Sequence, residues 1–261
     1  MAKVGFRTAG FHEWAIERAL AELARIGYDG VEICLEHPDC RPSDLTPQRS
    51  AELAHACRDL GLEVASVSYH GDVEPQPERR RNARLALDLV RPFGTDILIL
   101  NGRRVELNDE AEGLAELEAL LDELLPRAAE LGVRLALEPE PGLATGSSDQ
   151  MLQLIRRRDS DFLGVNLDVG HAYLTDPDVC ASIPALGPSI FHTHVEGMPA
   201  GEHRHLLPGE GDLDLAAVCA ALADTGYAGY YTVDLFRIAD DPVDWARRAL
   251  AGVRRVLAGS R

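Results

Sequence analysis

The sequence NLDVGH at residues 166–171 is the most informative stretch for the fold, because a hydrophobic strand ends there in a carboxylate and an imidazole follows three residues later. Three other apolar runs also end in a side chain that can bind a metal: LALE at 135–138, FHTH at 191–194 and TVD at 232–234. In a closed parallel barrel, the carboxyl ends of all strands meet at one rim. The pattern therefore predicts four strands that converge on one cation.

The rest of the chain alternates short strand-like runs with helical ones, which predicts eight strand-then-helix units. Strands are predicted at 4–8, 30–34, 63–68, 96–100, 134–137, 163–167, 189–193 and 230–235, and helices at 13–25, 47–60, 78–90, 111–131, 149–157, 178–183, 213–224 and 243–257. This order predicts an α/β fold, a (β/α)8 TIM barrel, with residues 1–261 as a single domain. A doubly wound sheet is disfavoured because no Gly-x-Gly-x-x-Gly turn follows the first strand.

The charge and hydropathy of the chain limit its partners. The formal charge of −17 describes a surface that repels phosphate backbones and acidic membranes. No apolar run approaches the roughly 20 residues of a membrane span, and no basic-then-apolar leader opens the sequence. We expect a soluble, cytoplasmic protein without a nucleic-acid or membrane partner, and apolar helix faces leave homo-oligomerisation open.

Cysteine and lysine usage excludes two kinds of chemistry. Five cysteines without CxxC spacing argue against a disulfide framework and against a thiolate zinc site. Lys3 is the only lysine and lies at the start of the first strand, far from any carboxyl-terminal strand end. A Schiff-base mechanism is therefore disfavoured.

The four strand-end side chains Glu138, Asp168, His194 and Asp234 form the predicted metal site. Three carboxylates and one imidazole suit Mn²⁺, Mg²⁺, Co²⁺ or Zn²⁺ and leave positions open for two substrate oxygens. A metal held by adjacent hydroxyl and carbonyl oxygens acidifies the C–H between them and stabilises the resulting enediolate. Glu138 and Asp234 are the predicted acid/base pair.

The expected substrate is a small polyol or ketose, because an anionic ligand set favours a neutral guest. Arg204 or Arg237 could still admit one phosphate or carboxylate. Glu32, His70 and Asn101 end or follow the second, third and fourth strands, so each is expected to contact substrate at the rim, with a loop cap as the alternative. His171 is expected to contact substrate or to orient a carboxylate, with direct metal ligation as the alternative.

Six segments resemble the xylose-isomerase-like TIM-barrel superfamily of sugar-phosphate isomerases and epimerases. They are GYDGVE at 27–32, LALE at 135–138, LDVGH at 167–171, HTH at 192–194, LPGEGDLD at 207–214 and GYYTVD at 229–234. The resemblance implies one divalent metal bound by Glu138, Asp168, His194 and Asp234. Asp234 departs from the pattern, because the last strand of such proteins usually ends in glutamate.

The resemblance also implies several activities. The segment DLFR at 234–237 looks most like inosose (ketoinositol) isomerase members. An isomerase or epimerase of a ketose, sugar phosphate or ketoinositol is expected first, and a dehydratase of a keto-polyol such as an inosose or dehydroshikimate is the alternative. In a dehydratase, His171, His203 or His205 would serve as the acid. A non-catalytic sugar-binding barrel is a further alternative, for which Asp234 is the main argument.

The endonuclease IV group of the same superfamily, with three zinc ions, is also similar at several positions. They are His70, Glu138, Asp168, His171, His194 and the His203/His205 loop. Asn101 stands where that group has a histidine, and the −17 charge disfavours DNA. Nuclease activity is therefore not expected.

Overall fold

Within residues 2–71, 74–104, 110–236 and 241–259, which the computed structural model describes, eight parallel strands close into a barrel in sequence order. The strands are β1 (Lys3–Arg7), β2 (Gly30–Cys34), β3 (Glu63–Ser68), β4 (Ile97–Asn101), β5 (Arg134–Glu138), β6 (Leu163–Asp168), β7 (Ile190–Val195) and β8 (Tyr230–Val233). The ring closes where Lys3 pairs with Tyr230 and Phe6 with Val233. The predicted TIM barrel is confirmed.

Helices connect the strands on the outside of the barrel. They are α1 (Ile16–Ile26), α2 (Pro47–Asp59), α3 (Gln76–Val90), α4 (Glu110–Leu131), α5 (Ser148–Arg158), α6 (Val169–Thr175), α7 (Val179–Leu186), α8 (Leu215–Asp224) and α9 (Pro242–Gly259). Apolar residues three or four positions apart give each longer helix one buried face, for example Leu117, Leu121 and Leu124 on α4. Each fully buried leucine contributes about 2 kcal/mol relative to an exposed one.

The connection after β6 differs from its prediction. The sequence predicts one poor helix at 178–183, whereas the structure has α6 and then α7. Asp168 explains the extra helix, because its side-chain Oδ1 accepts a hydrogen bond from the His171 backbone N–H at 2.8 Å and caps α6. The helix is seven residues long and has no apolar periodicity of its own, which is why the sequence did not reveal it.

Two glycines let the barrel close tightly. A Cβ on Gly5 would lie 2.7 Å from Thr232 Oγ1, and a Cβ on Gly164 would lie 2.4 Å from the carbonyl oxygen of Ser189. Side chains at these positions would push neighbouring strands apart. The barrel interior therefore depends on small residues at these two points.

The amino end of the barrel carries ion pairs at its surface. Lys3 Nζ lies 2.7 Å from Glu63 Oε2, and Arg134 Nη2 lies 3.0 Å from Asp96 Oδ1. The Arg134 guanidinium also stacks over the ring of Phe191 at 4.9 Å. Among the helices of the described ranges, none combines the length and apolar character that crossing a membrane requires.

Candidate active site

His194, on β7, lies at the centre of a buried cluster at the carboxyl end of the barrel. Its Nδ1 is 3.2 Å from Glu138 Oε2, 3.8 Å from Asp168 Oδ2 and 3.8 Å from Asp234 Oδ2. All four side chains are buried. Glu138 and Asp168 are the last residues of β5 and β6, and Asp234 follows the last residue of β8. The structure therefore brings the four predicted ligands together.

The opposite edge of the His194 ring faces Glu32, from β2. The Nε2 atom of His194 is 2.9 Å from Glu32 Oε2, and Ser66 donates a hydrogen bond to the same oxygen at 2.8 Å. His192 Nε2 lies 3.4 Å from it, and the His192 ring is buried in the barrel interior. Glu32 is fully buried in the middle of β2, two residues before the strand ends, rather than at its carboxyl end as the sequence predicts. It orients His194 so that Nδ1 faces the carboxylates.

Several polar atoms in the cluster are buried without a hydrogen-bond partner among the described residues. They are Asp168 Oδ2, Asp234 Oδ1 and His70 Nε2. A buried oxygen left in this way costs about 1–3 kcal/mol, and more if it is charged. Glu138, Asp168 and His194 place ligand atoms within 4.8 Å of one another, as do Asp168, His205 and Asp234, and carboxylate oxygens with imidazole nitrogens are donors that suit a divalent cation. The residues therefore fit the predicted metal.

The electrostatics of the cluster keep its members charged. Burial opposes ionisation of Glu138, but the His194 and His70 imidazoles outweigh burial and hold the Glu138 pKa well below its usual value. Burial also opposes charge on His194, yet Glu32 and Glu138 raise its pKa well above the usual imidazole value. Burial is likewise outweighed at Asp234, where Arg7 leads the groups that lower the pKa. Anionic Glu138 and Asp234 thus lie beside a cationic His194 ring.

Arg7, the last residue of β1, is a member of the site that sequence analysis missed. Its Nη1 donates to Asp234 Oδ2 at 2.9 Å, its Nε lies 3.2 Å from Glu32 Oε1, and its Nη2 is 3.0 Å from His70 Nδ1. The signal was present, because Arg7 ends its strand as the predicted ligands end theirs. A guanidinium cannot bind a metal, so a pattern of strand-end metal ligands does not include it.

His70 and Asn101, the predicted rim residues of β3 and β4, are held by arginines. Arg7 can only donate, so His70 Nδ1 accepts, and its Nε2 faces Glu138 Oε2 at 3.6 Å. Asn101 Oδ1 accepts from Arg79 Nη2 at 2.8 Å, and the same guanidinium binds the His70 carbonyl oxygen through Nε. His70 therefore borders the metal cluster, and Asn101 lies in the wall beside it.

Three histidines face one another above Asp168. His171 Nδ1 lies 3.2 Å from the carbonyl oxygen of Pro139, and His205 Nδ1 lies 2.8 Å from the carbonyl oxygen of Asp234. A carbonyl oxygen can only accept a hydrogen bond, so both Nδ1 atoms donate. The Nε2 atoms of both rings therefore point inward, where His203 Nε2 is 2.8 Å and His205 Nε2 is 3.3 Å from His171 Nε2. The loop after β7 thus reaches the site.

The two arginines predicted to admit an anion are placed differently. Arg204 is exposed, and its Nε lies 3.1 Å from Glu202 Oε1 on the same loop. Arg237 lies outside the described residues. Arg104, after β4, forms an ion pair with Glu140 at the rim. Arg104 is also close enough to His203 to help lower the His203 pKa to about 4, behind burial and the neighbouring histidines.

Glu196, two residues after His194, is a second buried acid that sequence analysis missed. Its Oε1 accepts a hydrogen bond from the Gly170 backbone N–H at 2.7 Å. Burial, followed by repulsion from Asp168, raises the Glu196 pKa well above its usual value. Gly170 is required here, because a Cβ would lie 2.2 Å from that oxygen. Glu196 therefore supports the turn that presents Asp168.

The sequence matches a known family over most of its length. The family model described as xylose isomerase-like TIM barrel matches residues 20–256. A 3-dehydroshikimate dehydratase of Pseudomonas aeruginosa is 30% identical over 258 residues, which are 91% of this chain and 39% of that protein. The chain thus spans about two fifths of the length of that relative. A fructoselysine 3-epimerase of Escherichia coli O157:H7 is 24% identical over 271 residues, which are 98% of each chain.

Solved structures share the fold. The crystal structure of IOLI protein with a bound zinc atom superposes with a TM-score of 0.79 and 21% identity, over 99% of each chain. At this identity the likeness concerns the barrel architecture alone. The relatives named in the preceding paragraph are enzymes that epimerise or dehydrate small sugar-like molecules.

Proposed function

Since the chain belongs to the xylose isomerase-like TIM barrel family, we propose that it is a divalent-metal-dependent isomerase or epimerase of a ketose, sugar phosphate or ketoinositol. One observation carries the proposal: Glu138, Asp168 and Asp234 surround His194 Nδ1, with two of their buried oxygens lacking a partner in the described structure. An inert sugar-binding barrel has no need of such buried, unsatisfied charge.

The four residues would hold the cation, and Glu32 would keep His194 oriented towards it. When bound, a divalent cation polarises a carbonyl oxygen and acidifies the neighbouring C–H of the substrate. Glu138 and Asp234 come from β5 and β8, strands that are not neighbours in the ring, so they approach the site from different directions. In an isomerase, the carboxylate that removes the proton returns it to the neighbouring carbon; in an epimerase, the proton must first pass through solvent to the other carboxylate, which then protonates the opposite face of the carbon.

The charge state of the pair suits this role. The pKa of each carboxyl is lowered despite burial, so both are ionised and able to accept a proton near neutral pH. A carboxylate that has taken a proton from carbon becomes the acid for the return step. Asp234 is further fixed by the bond of its Oδ2 to Arg7, and its Oδ1 has no hydrogen-bond partner among the described residues.

A dehydratase of a keto-polyol is the second candidate, and the three histidines are the observation that favours it. Loss of a β-hydroxyl requires an acid as well as a base. Burial opposes charge on His205, but Asp234 and Asp168 raise the His205 pKa, whereas the His203 pKa is lowered. A protonated His205 lies close to Asp168 and Asp234, where it can protonate a leaving hydroxyl. The dehydroshikimate dehydratase relative is consistent with this alternative.

Metal content and proton exchange together test the proposal. Gently purified protein is expected to contain about one Mn²⁺, Co²⁺ or Zn²⁺ per chain, and to exchange substrate C–H for deuterium when ketoses and ketoinositols are screened in heavy water. Retention of all hydroxyl groups identifies an isomerase or epimerase, whereas release of water identifies a dehydratase. Protein that binds no divalent metal after reconstitution would contradict the proposal and leave a binding barrel.

Asp96→Asn is the matched control for a Glu138→Gln variant. Each substitution removes one carboxylate next to a strand end: Glu138 is the last residue of β5, and Asp96 precedes the first residue of β4. Asp96 pairs with Arg134 at the amino end of the barrel, away from the candidate site. We expect metal and exchange to be lost only in Glu138→Gln. A small-molecule partner, the lack of a nucleic-acid partner and a cytoplasmic location stay predictions from the sequence.

A further inference from the structure

The Arg7 guanidinium is buried in the floor of the candidate site. Only 4% of the residue is exposed, and its nitrogens contact Asp234 from β8, Glu32 from β2 and His70 after β3. Arginine stays protonated in proteins, so this is a permanent positive charge. Arg7 lies between Glu32, which orients His194, and Asp234, which belongs to the predicted metal cluster.

Arg7 and a divalent cation would therefore use the same carboxylate. Arg7 Nη1 is 2.9 Å from Asp234 Oδ2, the oxygen that faces His194 Nδ1 at 3.8 Å. A cation bound by Glu138, Asp168, His194 and Asp234 would lie a few ångströms from the guanidinium. Two positive charges at this separation repel each other strongly in a buried site.

We propose that Arg7 is a positioning residue that acts as a built-in counter-cation: it keeps Asp234 and Glu32 paired when the metal is absent, and it weakens the binding of the metal when it is present. This inference rests on the proposed function, because it concerns the same site. The expected consequence is a metal ion that dissociates and exchanges readily, because the positive charge of Arg7 repels it. The short side chain of Asp234 suits the arrangement, since Arg7 reaches it directly from the neighbouring strand.

The counter-cation role predicts opposite effects on the metal-free protein and on metal binding. In Arg7→Met, two buried carboxylates lose their cation, so the metal-free protein is expected to melt at a lower temperature. The same change removes repulsion, so Zn²⁺, Co²⁺ or Mn²⁺ is expected to bind at least about tenfold more tightly. A residue with a purely structural role would lower stability and metal affinity together.

The experiment measures the melting temperature of the full chain without metal, and metal affinity by calorimetric titration with each of the three ions. Arg134→Met is the control, because Arg134 also binds a carboxylate and packs on an aromatic ring, but at the amino end. It is expected to lower stability without changing metal affinity. Arg7→Lys keeps the charge and should retain an affinity close to that of the wild type. Arg7→Gln, which is neutral but polar, replaces Arg7→Met if the latter is not recovered.

The outcomes separate this inference from the proposed function. Wild-type protein that binds no divalent ion overturns both. Wild-type protein that binds one ion, with neutral Arg7 variants that bind it equally or more weakly, overturns the counter-cation role alone. Neutral variants that fold only when metal is supplied support the role, whereas failure to fold even with metal contradicts it.

Discussion

The two ends of the barrel use the same residue types in opposite ways. At the amino end, Lys3 pairs with Glu63 and Arg134 with Asp96, and these side chains are part-exposed to water. At the carboxyl end, the acids are buried and crowded around His194, with oxygens that lack a partner in the described structure. At the amino end, carboxylates are therefore paired with basic side chains of the chain itself. At the carboxyl end, carboxylate oxygens lack such partners in the described structure, which is the arrangement expected of a site that binds a cation.

Removing a carboxylate from the carboxyl end should give the largest effect. Glu138→Gln is expected to lower turnover on the identified substrate by about 10³-fold, because both a metal ligand and a proton acceptor are lost. Steady-state kinetics on metal-loaded protein measure this. Asp96→Asn at the amino end should leave turnover within about twofold of the wild type, as expected for a part-exposed pair. Similar losses in the two variants would abolish the functional distinction between the ends.

Glu32→Gln tests the support below the site. The amide keeps the shape but weakens the hold on His194 Nε2, so metal affinity is expected to fall by about 10- to 100-fold. Competition with a chromophoric chelator measures the affinity. If Glu32 instead contacts substrate, as the sequence analysis expects, the Michaelis constant should rise while metal affinity stays unchanged.

The pH dependence of metal binding should follow from His194. Burial lowers its pKa, but Glu32 and Glu138 raise it well above the usual value, so the metal-free ring is protonated at neutral pH. A cation must displace this proton, so affinity should rise as pH rises towards the His194 pKa, by about tenfold per pH unit for one proton. Titrations in buffers of different ionisation enthalpy count the protons released.

The stability of the metal-free protein should change with pH in the opposite direction to metal affinity. A raised imidazole pKa contributes stability that is fully present below the unfolded value of about 6.5 and is lost as pH rises through the folded pKa. The metal-free protein should therefore become less stable over the range in which metal binds more tightly. Metal affinity that does not change with pH would mean that His194 is already neutral, and it would argue against the pairing with Glu32.

His205→Ala sharpens the choice between the two candidate reactions, because His205 is the ring whose pKa is raised. An isomerase or epimerase that uses Glu138 and Asp234 should retain deuterium exchange within about tenfold, because the His205 side chain is no part of that pair. A dehydratase should retain exchange but lose product by about 10²-fold or more, because its acid is missing. His55→Ala, at an exposed position on α2, is the control and should change neither rate.

Lys3→Met should give the smallest effect, at the amino end. The Lys3–Glu63 pair is about half exposed, and such pairs contribute roughly 0–1 kcal/mol. Chemical denaturation is expected to show a loss within that range and no change in metal affinity. A larger loss would mean that the amino end also stores electrostatic energy on which the barrel depends.

Sequence reasoning recovered the barrel and the convergence of four strand-end side chains because both depend on local patterns; that these side chains bind a metal stays a prediction. Each strand is a short apolar run, and a side chain at its end can be identified without knowledge of distant contacts. Glu32 shows the limit of this reasoning, because it lies in the middle of β2 and not at its end, and strand boundaries are the least reliable part of a sequence-based prediction. Arg204 shows the same limit in a loop, where an exposed ion pair with Glu202 was as compatible with the sequence as a substrate contact.

Local patterns in the sequence were sufficient to predict the eight strands, and with them the rim on which Glu138, Asp168, His194 and Asp234 meet. The place of Arg7 among the acids and the convergence of three imidazoles above them became visible only in the folded barrel. Strand periodicity is encoded within a few residues, whereas a contact between buried charges can join side chains far apart in sequence, such as Arg7 and Asp234 at a separation of 227 positions. Barrel closure alone brings such pairs into contact.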